Sequence, residues 1–264
     1  RSTLFWYCSR LISGEDRNYG DILKKRTTFL LLLFAATIAF MYFLAYFRPM
    51  QSVDIFWHIA AGEWIFENMA LPDSDIFSSV DATRPWHTFQ WGYEVLCYGV
   101  DQAAGLFGNR LMHSSVIWLA MLLMALGIYR KTQSSWAMVF GMGPMLLGFA
   151  DRVRARPDAF NLLFSVLLLL LASKKRWSKK DAAWLLLLFA VWSNIHGGGV
   201  LLGFVIIFSR FGGILLEELF LFLQSRKDDT IAALPIRKLG FELGAILAPL
   251  GLAFTMPGFR QGVY

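Results

Sequence analysis

Charge is scarce in this chain of 264 residues. Asp, Glu, Lys and Arg together make up 17%, against roughly 25% in an ordinary soluble domain. That shortage excludes a solvated, disordered chain. Cysteine is almost lacking, with only Cys8 and Cys97, and this excludes a disulfide scaffold. There is no P-loop, no Gly-x-Gly-x-x-Gly opening a helix, no Cys-x-x-Cys and no Gly-x-Ser-x-Gly. There is no internal repeat either, which speaks against a transporter or flippase. No secretory signal is visible. The first apolar run begins after a long mixed stretch, and no small-residue cleavage site follows it.

What the chain has instead is apolar surface. Hydrophobic residues make up 56%, with 24 Phe and 10 Trp, and the mean hydropathy is +0.50. So much apolar surface calls for a solvent other than water. The expectation is an all-α, polytopic helical membrane protein. The net charge of +6 could point to nucleic acid, but the basic residues fall in short runs between apolar stretches. Membrane topology and anionic lipid headgroups account for that pattern, so membrane lipids are expected as partners and nucleic acid is not.

The apolar pattern predicts about seven spans: 28–47, 111–129, 136–150, 159–172, 182–193, 200–222 and 239–254. Residues 1–27 form a cytoplasmic segment, and 28–264 form the transmembrane domain. The pair around His196 reads as two spans or as one broken helix. With the N-terminus inside, Arg130 and Lys131, the Lys174–Lys180 cluster and Arg226–Lys238 also fall inside. Seventeen of the 25 basic residues are then cytoplasmic, as the positive-inside rule asks. One continuous helix through His196 would put the Arg226–Lys238 cluster outside. On this topology Cys8 and Cys97 lie on opposite sides and cannot pair.

The loop 48–110 is then outside. It holds eight acids and four of the ten tryptophans, a composition suited to the membrane interface. Within it, 55–69 reads as a surface helix with Ile55, Ile59, Phe66 and Met69 near one face, and 89–100 reads as a second. Leu71-Pro-Asp-Ser-Asp75 and Thr83-Arg-Pro-Trp86 read as turns.

Four polar clusters fall on this outer side. Asp54 and His58 are spaced i, i+4 and share a helix face. They can act as a base with its orienting partner or as metal ligands, or Asp54 can simply cap the helix. Asp151-Arg-Val-Arg-Ala-Arg-Pro-Asp158 puts three arginines in a short outer loop, against the charge bias. Bidentate binding of phosphate by Arg152, Arg154 and Arg156 is one reading, and internal salt bridges to the flanking acids are the other. Trp192-Ser-Asn-Ile-His-Gly-Gly-Gly199 sets Asn194 and His196 beside a tight turn. That is either a functional site at membrane depth or a plain helical hairpin. Asp73 and Asp75 bind a metal or a sugar hydroxyl, or cap a turn. His87 and His113 read as structural. Glu217 and Glu218 pair with Arg210 or face water.

Three stretches carry a likeness. They are Asp54-Ile-Phe-Trp-His-Ile-Ala-Ala-Gly-Glu-Trp-Ile65, running on through Leu71-Pro-Asp-Ser-Asp-Ile-Phe-Ser78, Pro85-Trp86, Gln90-Trp91 and Glu94; Arg154-Ala-Arg-Pro157; and Trp192-Ser-Asn-Ile-His-Gly-Gly198. In these the chain resembles the GT-C superfamily of polytopic membrane glycosyltransferases, and within it a group of bacterial membrane proteins. The resemblance spans roughly residues 50–200. It implies sugar transfer from a polyprenyl-phosphate donor at the outer face of the bacterial cytoplasmic (inner) membrane. Asp54 would be the catalytic base with His58 beside it, and Arg152, Arg154 and Arg156 would hold the donor phosphate. Asp75, Asn194 and His196 would line the cavity. The superfamily admits a divalent metal, but no acidic pair adjoins Asp54, and no metal ligands are assigned. Members are usually longer, so the resemblance also implies a C-terminal part beyond Tyr264. Some members serve as non-catalytic subunits. The competing expectation is therefore a structural component that packs against other membrane subunits.

Overall fold

The computed structural model describes residues 52–142 apart from 82, 135 and 139, together with 155–227 and 236–257. The expected span 28–47, most of the span 136–150, Cys8, Arg152 and Arg154 lie outside the described residues. All described residues belong to one compact unit, Arg48–Tyr264. Among them every regular element is helical, and the nearest approach to a sheet is one isolated bridge between Ser74 and Pro85.

Helix α1 spans Asp54–Asn68 and buries Ile55, His58, Ala61, Gly62 and Ile65. That stripe follows the i, i+3, i+4, i+7 spacing of one helix face. The expected apolar face does not hold together. Ile55 faces the core, whereas Phe66 and Met69 are exposed. The helix ends at Met69, which takes a left-handed backbone conformation at φ 50°. Asn68 Nδ2 also donates to the Trp64 carbonyl at 2.8 Å.

Helix α2 spans Trp91–Thr132. The sequence pattern separates a surface helix from a span here; the chain instead joins them through a break at Gly105. Its φ of 61° and ψ of −163° lie where only glycine is unstrained. Helix α1 packs along the first part of α2. At the closest approach a Cβ on Gly62 would collide with the Glu94 carbonyl, so glycine permits the contact.

Helices α3 (Asp158–Ala172), α4 (Lys179–Ile195), α5 (Val200–Lys227) and α6 (Ile236–Thr255) follow among the described residues. Ser178 and Asp181 start α4 with a reciprocal capping box. His196 (φ −156°, ψ 87°) breaks the helix, and a 3-10 turn over Gly197–Gly199 leads into α5. Gly203 of α5 lies close against the rings of Phe189 and Trp192. The chain therefore folds back as a hairpin, and the one-helix alternative fails among these residues. The interhelical core is aromatic and aliphatic, built on Ile55, Tyr93, Phe160, Leu185, Phe189, Trp192, Ile207 and Ile246.

The helices run alternately between two ends. The start of α3 meets the end of α4, since Asn161 bonds His196, and the end of α3 meets Arg210 of α5. The end of α6 returns to Asn194 through Met256. Helices α2 and α5 are long and apolar enough to cross a membrane, yet only 17% and 22% of their most apolar windows are buried. The core helix of a water-soluble protein would be mostly buried. Exposed Leu201, Leu202, Val205 and Phe208 on α5 fit a lipid-facing surface instead.

Candidate functional site

The first turns of α1, α2, α3 and α5 and the last turns of α4 and α6 meet at one end of the bundle. Residue Arg156 precedes α3, and its Nη2 pairs with Asp54 Oδ2 at 2.5 Å. Arg156 Nε also reaches Ser52 Oγ at 3.5 Å. The two side chains retain 42% and 33% of their exposure. This pair joins the first two sequence clusters. The third arginine of the 151–158 run meets the acid that opens α1.

His58 does not pair with Asp54. It is buried, and its Nδ1 faces Gln90 Nε2 at 3.3 Å and Glu94 Oε1 at 3.7 Å. The i, i+4 spacing put Asp54 and His58 on one face. However, Asp54 sits at the open end of α1, while His58 lies one turn deeper against α2. Glu94 is only 1% exposed, and its second oxygen has no partner among the described residues. Sequence reasoning named Glu94 among the eight acids of the loop and within the stretch that resembles GT-C enzymes, but gave it no role. A Glu set in a run of Tyr, Val, Leu and Cys was the available signal.

The His196 turn is tied down from both sides. Trp91 Nε1 donates to Asn194 Oδ1 at 2.8 Å. Asn194 Nδ2 donates to the Ala190 carbonyl at 2.8 Å. The Gly197 N–H donates to the Phe89 carbonyl at 3.1 Å. Asn161 of α3 bonds both His196 Nδ1, at 2.7 Å, and Trp192 Nε1, at 2.8 Å. A Cβ on Gly199 would collide with Asn161 Oδ1, so the third glycine leaves room for the amide. Sequence reasoning missed Asn161. Its signal was an isolated amide within the apolar stretch 159–172.

Asp75 stands apart. Its Oδ1 accepts from the N–H groups of Phe77 and Ser78 at 2.9 and 3.1 Å. Its own N–H donates to the Arg84 carbonyl. It closes a turn of the loop, which is the plain reading of the Asp73/Asp75 pair. His113 is buried between the Asn109 carbonyl at 2.6 Å and Tyr93 Oη at 2.9 Å. A structural role accounts for it.

The divalent metal that the GT-C resemblance admits finds no donor set among the described residues. No group of three His, Cys, Asp or Glu side chains is placed there to hold an ion, and in the free protein Asp54 pairs with Arg156. At the opposite end, Arg210 does not pair with Glu217 or Glu218. Its partner is Glu242 of α6, through Nη2–Oε1 at 3.0 Å and Nε–Oε2 at 3.4 Å.

No protein family, curated protein or solved structure matches this chain.

Proposed function

We propose that the chain is a multi-pass membrane glycosyltransferase of the GT-C type. On this reading it has about seven spans, with its N-terminus in the cytoplasm of a bacterium. It moves a sugar from a polyprenyl-phosphate donor to an acceptor at the outer face of the inner membrane. The observation that carries the reading is the Asp54–Arg156 pair. An acid and a guanidinium, both open to solvent, meet at the polar end of an apolar bundle.

The chemistry follows from those two groups. Arg156 holds the donor phosphate by charge-assisted hydrogen bonds. An acceptor hydroxyl attacks the anomeric carbon and passes its proton to Asp54. The anomeric C–O bond to phosphate breaks, and the polyprenyl phosphate leaves with the bonding electrons. Guanidinium stabilises the negative charge that grows on the leaving phosphate. In the free protein Asp54 pairs with Arg156, and the donor phosphate competes for that guanidinium, so donor binding releases the base it needs.

Reconstitution with a polyprenyl-phosphate sugar tests this. Asp54→Asn and Arg156→Ala should each lower sugar transfer by at least 100-fold in folded protein, the order expected for a lost base or charge stabiliser. Undiminished transfer by either variant sinks the assigned role.

The second reading, a non-catalytic subunit, rests on a different surface. Helix α5 continues well past Arg210 and exposes Leu215, Leu216, Leu219, Phe220 and Leu223. Partner helices can cover such a row. Purification from native membranes separates the two readings. A bound polyprenyl phosphate favours the enzyme, and stoichiometric partner subunits without that lipid favour the structural role.

A further inference from the structure

The hydrogen bonds around Asn161 fix the state of His196. An indole N–H can only donate, so the atom of Asn161 that faces Trp192 Nε1 at 2.8 Å is the amide oxygen. The other amide atom is then the NH2 group. It donates to His196 Nδ1 at 2.7 Å and lies 3.5 Å from the Asp158 carboxylate. A ring nitrogen that accepts carries no proton. His196 is therefore neutral, with its hydrogen on Nε2. Among the described residues nothing accepts that hydrogen.

From this we infer that Asn161 is a positioning residue, which presents His196 Nε2–H to an uncharged oxygen of a ligand, a sugar hydroxyl or ring oxygen. Burial holds the imidazole below the ordinary histidine range, against a smaller upward pull from Asp158. Among the described residues, Asp158 of α3 and His58 of α1 are the titratable groups whose charge acts on it. Asp158 repels an anion, whereas Arg156 on the approach to α3 attracts one. A phosphate and a neutral oxygen thus find different partners at the same end of the bundle. The sugar half of this inference rests on the glycosyltransferase reading; the tautomer does not.

Nitrogen-15 NMR of histidine-labelled protein in nanodiscs tests both halves, with His196→Gln identifying the resonance among the four histidines. The expected wild-type signal at pH 7 is the Nε2–H tautomer. Asn161→Asp, whose carboxylate can only accept, should move the proton to Nδ1 or charge the ring. Trp192→Phe removes the donor that orients the amide, and should give a mixture of tautomers even if Asn161→Asp fails to fold. An Nδ1–H or charged ring in the wild type, or no change in either folded variant, overturns the tautomer assignment. The second half uses two probes, a polyprenyl-phosphate hexose and the same lipid phosphate without sugar. A shift of the Nε2 signal with the first alone supports the sugar contact. Equal shifts with both, or none with either, overturn it. If sugar transfer fails while the tautomer and the hexose shift persist, the enzyme reading has failed and this one has not.

Discussion

Two ion pairs tie helices together at opposite ends of α3, and they are built differently. At one end Arg210 and Glu242 are 9% and 3% exposed. Arg210 also donates to the Ala172 and Lys174 carbonyls at 2.6 and 2.7 Å and lies over the Trp177 ring at 4.5 Å. Both Glu242 oxygens are engaged. At the other end Asp54 and Arg156 meet in the open, and two further groups there, a buried Glu94 oxygen without a partner among the described residues and the His196 ring held only through Nδ1, are left unsatisfied. The first end closes its polar groups on one another and on helix termini. The second leaves valences open. A bundle that spans a bilayer needs the closed kind for stability; the open kind is what a ligand can use.

The largest expected effect comes from the closed end. Arg210→Ala leaves Glu242 buried without a counter-charge, and the α3 terminus without its cap. A loss of about 3–5 kcal/mol is the usual result of breaking a buried pair from one side. Thermal unfolding in nanodiscs reads it. Replacing both partners together, Arg210→Met with Glu242→Leu, should recover most of that stability, because two apolar side chains leave no stranded charge. If the single and double variants unfold alike, the pair is not the staple described here.

Next in size is Gly199→Ala at the open end. The added methyl meets Asn161 Oδ1, and the α3 start must shift away from the turn. Overpacking of this kind costs about 1–3 kcal/mol. The informative part is local: the Asn161–His196 bond should break while the Arg210 end keeps its protection from hydrogen exchange. Uniform loss of protection would mean that the two ends are one cooperative unit.

The start of α4 gives a smaller effect with a definite pH sign. Lys174 hydrogen-bonds the Asp181 carboxyl, and Ser178 donates to it through its N–H and hydroxyl. These hold its pKa at about 2, down from 3.8. The folded value lies below the unfolded one, so this carboxylate stabilises the fold above about pH 4. That stabilisation drains away as pH falls toward 2. Ser178→Ala should cost about 1 kcal/mol at pH 7, as a lost N-cap does. The deficit relative to wild type should shrink below pH 3. A deficit independent of pH would remove Asp181 from the account.

The sequence made one end more legible than the other. Asp54, Arg156, Asn194 and His196 were visible because they stand in polar stretches beside Gly, Pro and Trp. Their meeting at one end follows from the alternation of apolar runs. The partners were harder to read. Periodicity within one helix offered His58 to Asp54, whereas packing between helices gave it Glu94 and Gln90. Arg210 had two acids within two turns of its own helix, yet it chose Glu242 on a neighbour. Asn161 and Glu242 sat inside runs scored as apolar, where a lone polar residue is itself the signal. Local spacing says which residues share a face; it does not say what that face meets.

The smallest effect on stability is expected at Arg156, and it sharpens the comparison most. Exposed pairs contribute about 0–1 kcal/mol, so Arg156→Ala should melt within about 1 kcal/mol of wild type, against several for Arg210→Ala. Its effect on ligand binding should be the reverse. Asp54 and phosphate compete for the guanidinium, so removing Arg156 or Asp54 changes phosphate affinity with opposite sign. Arg156→Ala should abolish saturable binding of a polyprenyl phosphate in nanodiscs. Asp54→Asn, which removes the competitor and keeps the shape, should tighten that binding several-fold. A role for Asp54 in holding a cation for the phosphate predicts the other sign, because its loss would then weaken binding. If Arg156→Ala unfolds the protein as Arg210→Ala does, the open pair is a second staple, and the difference between the two ends is one of exposure alone.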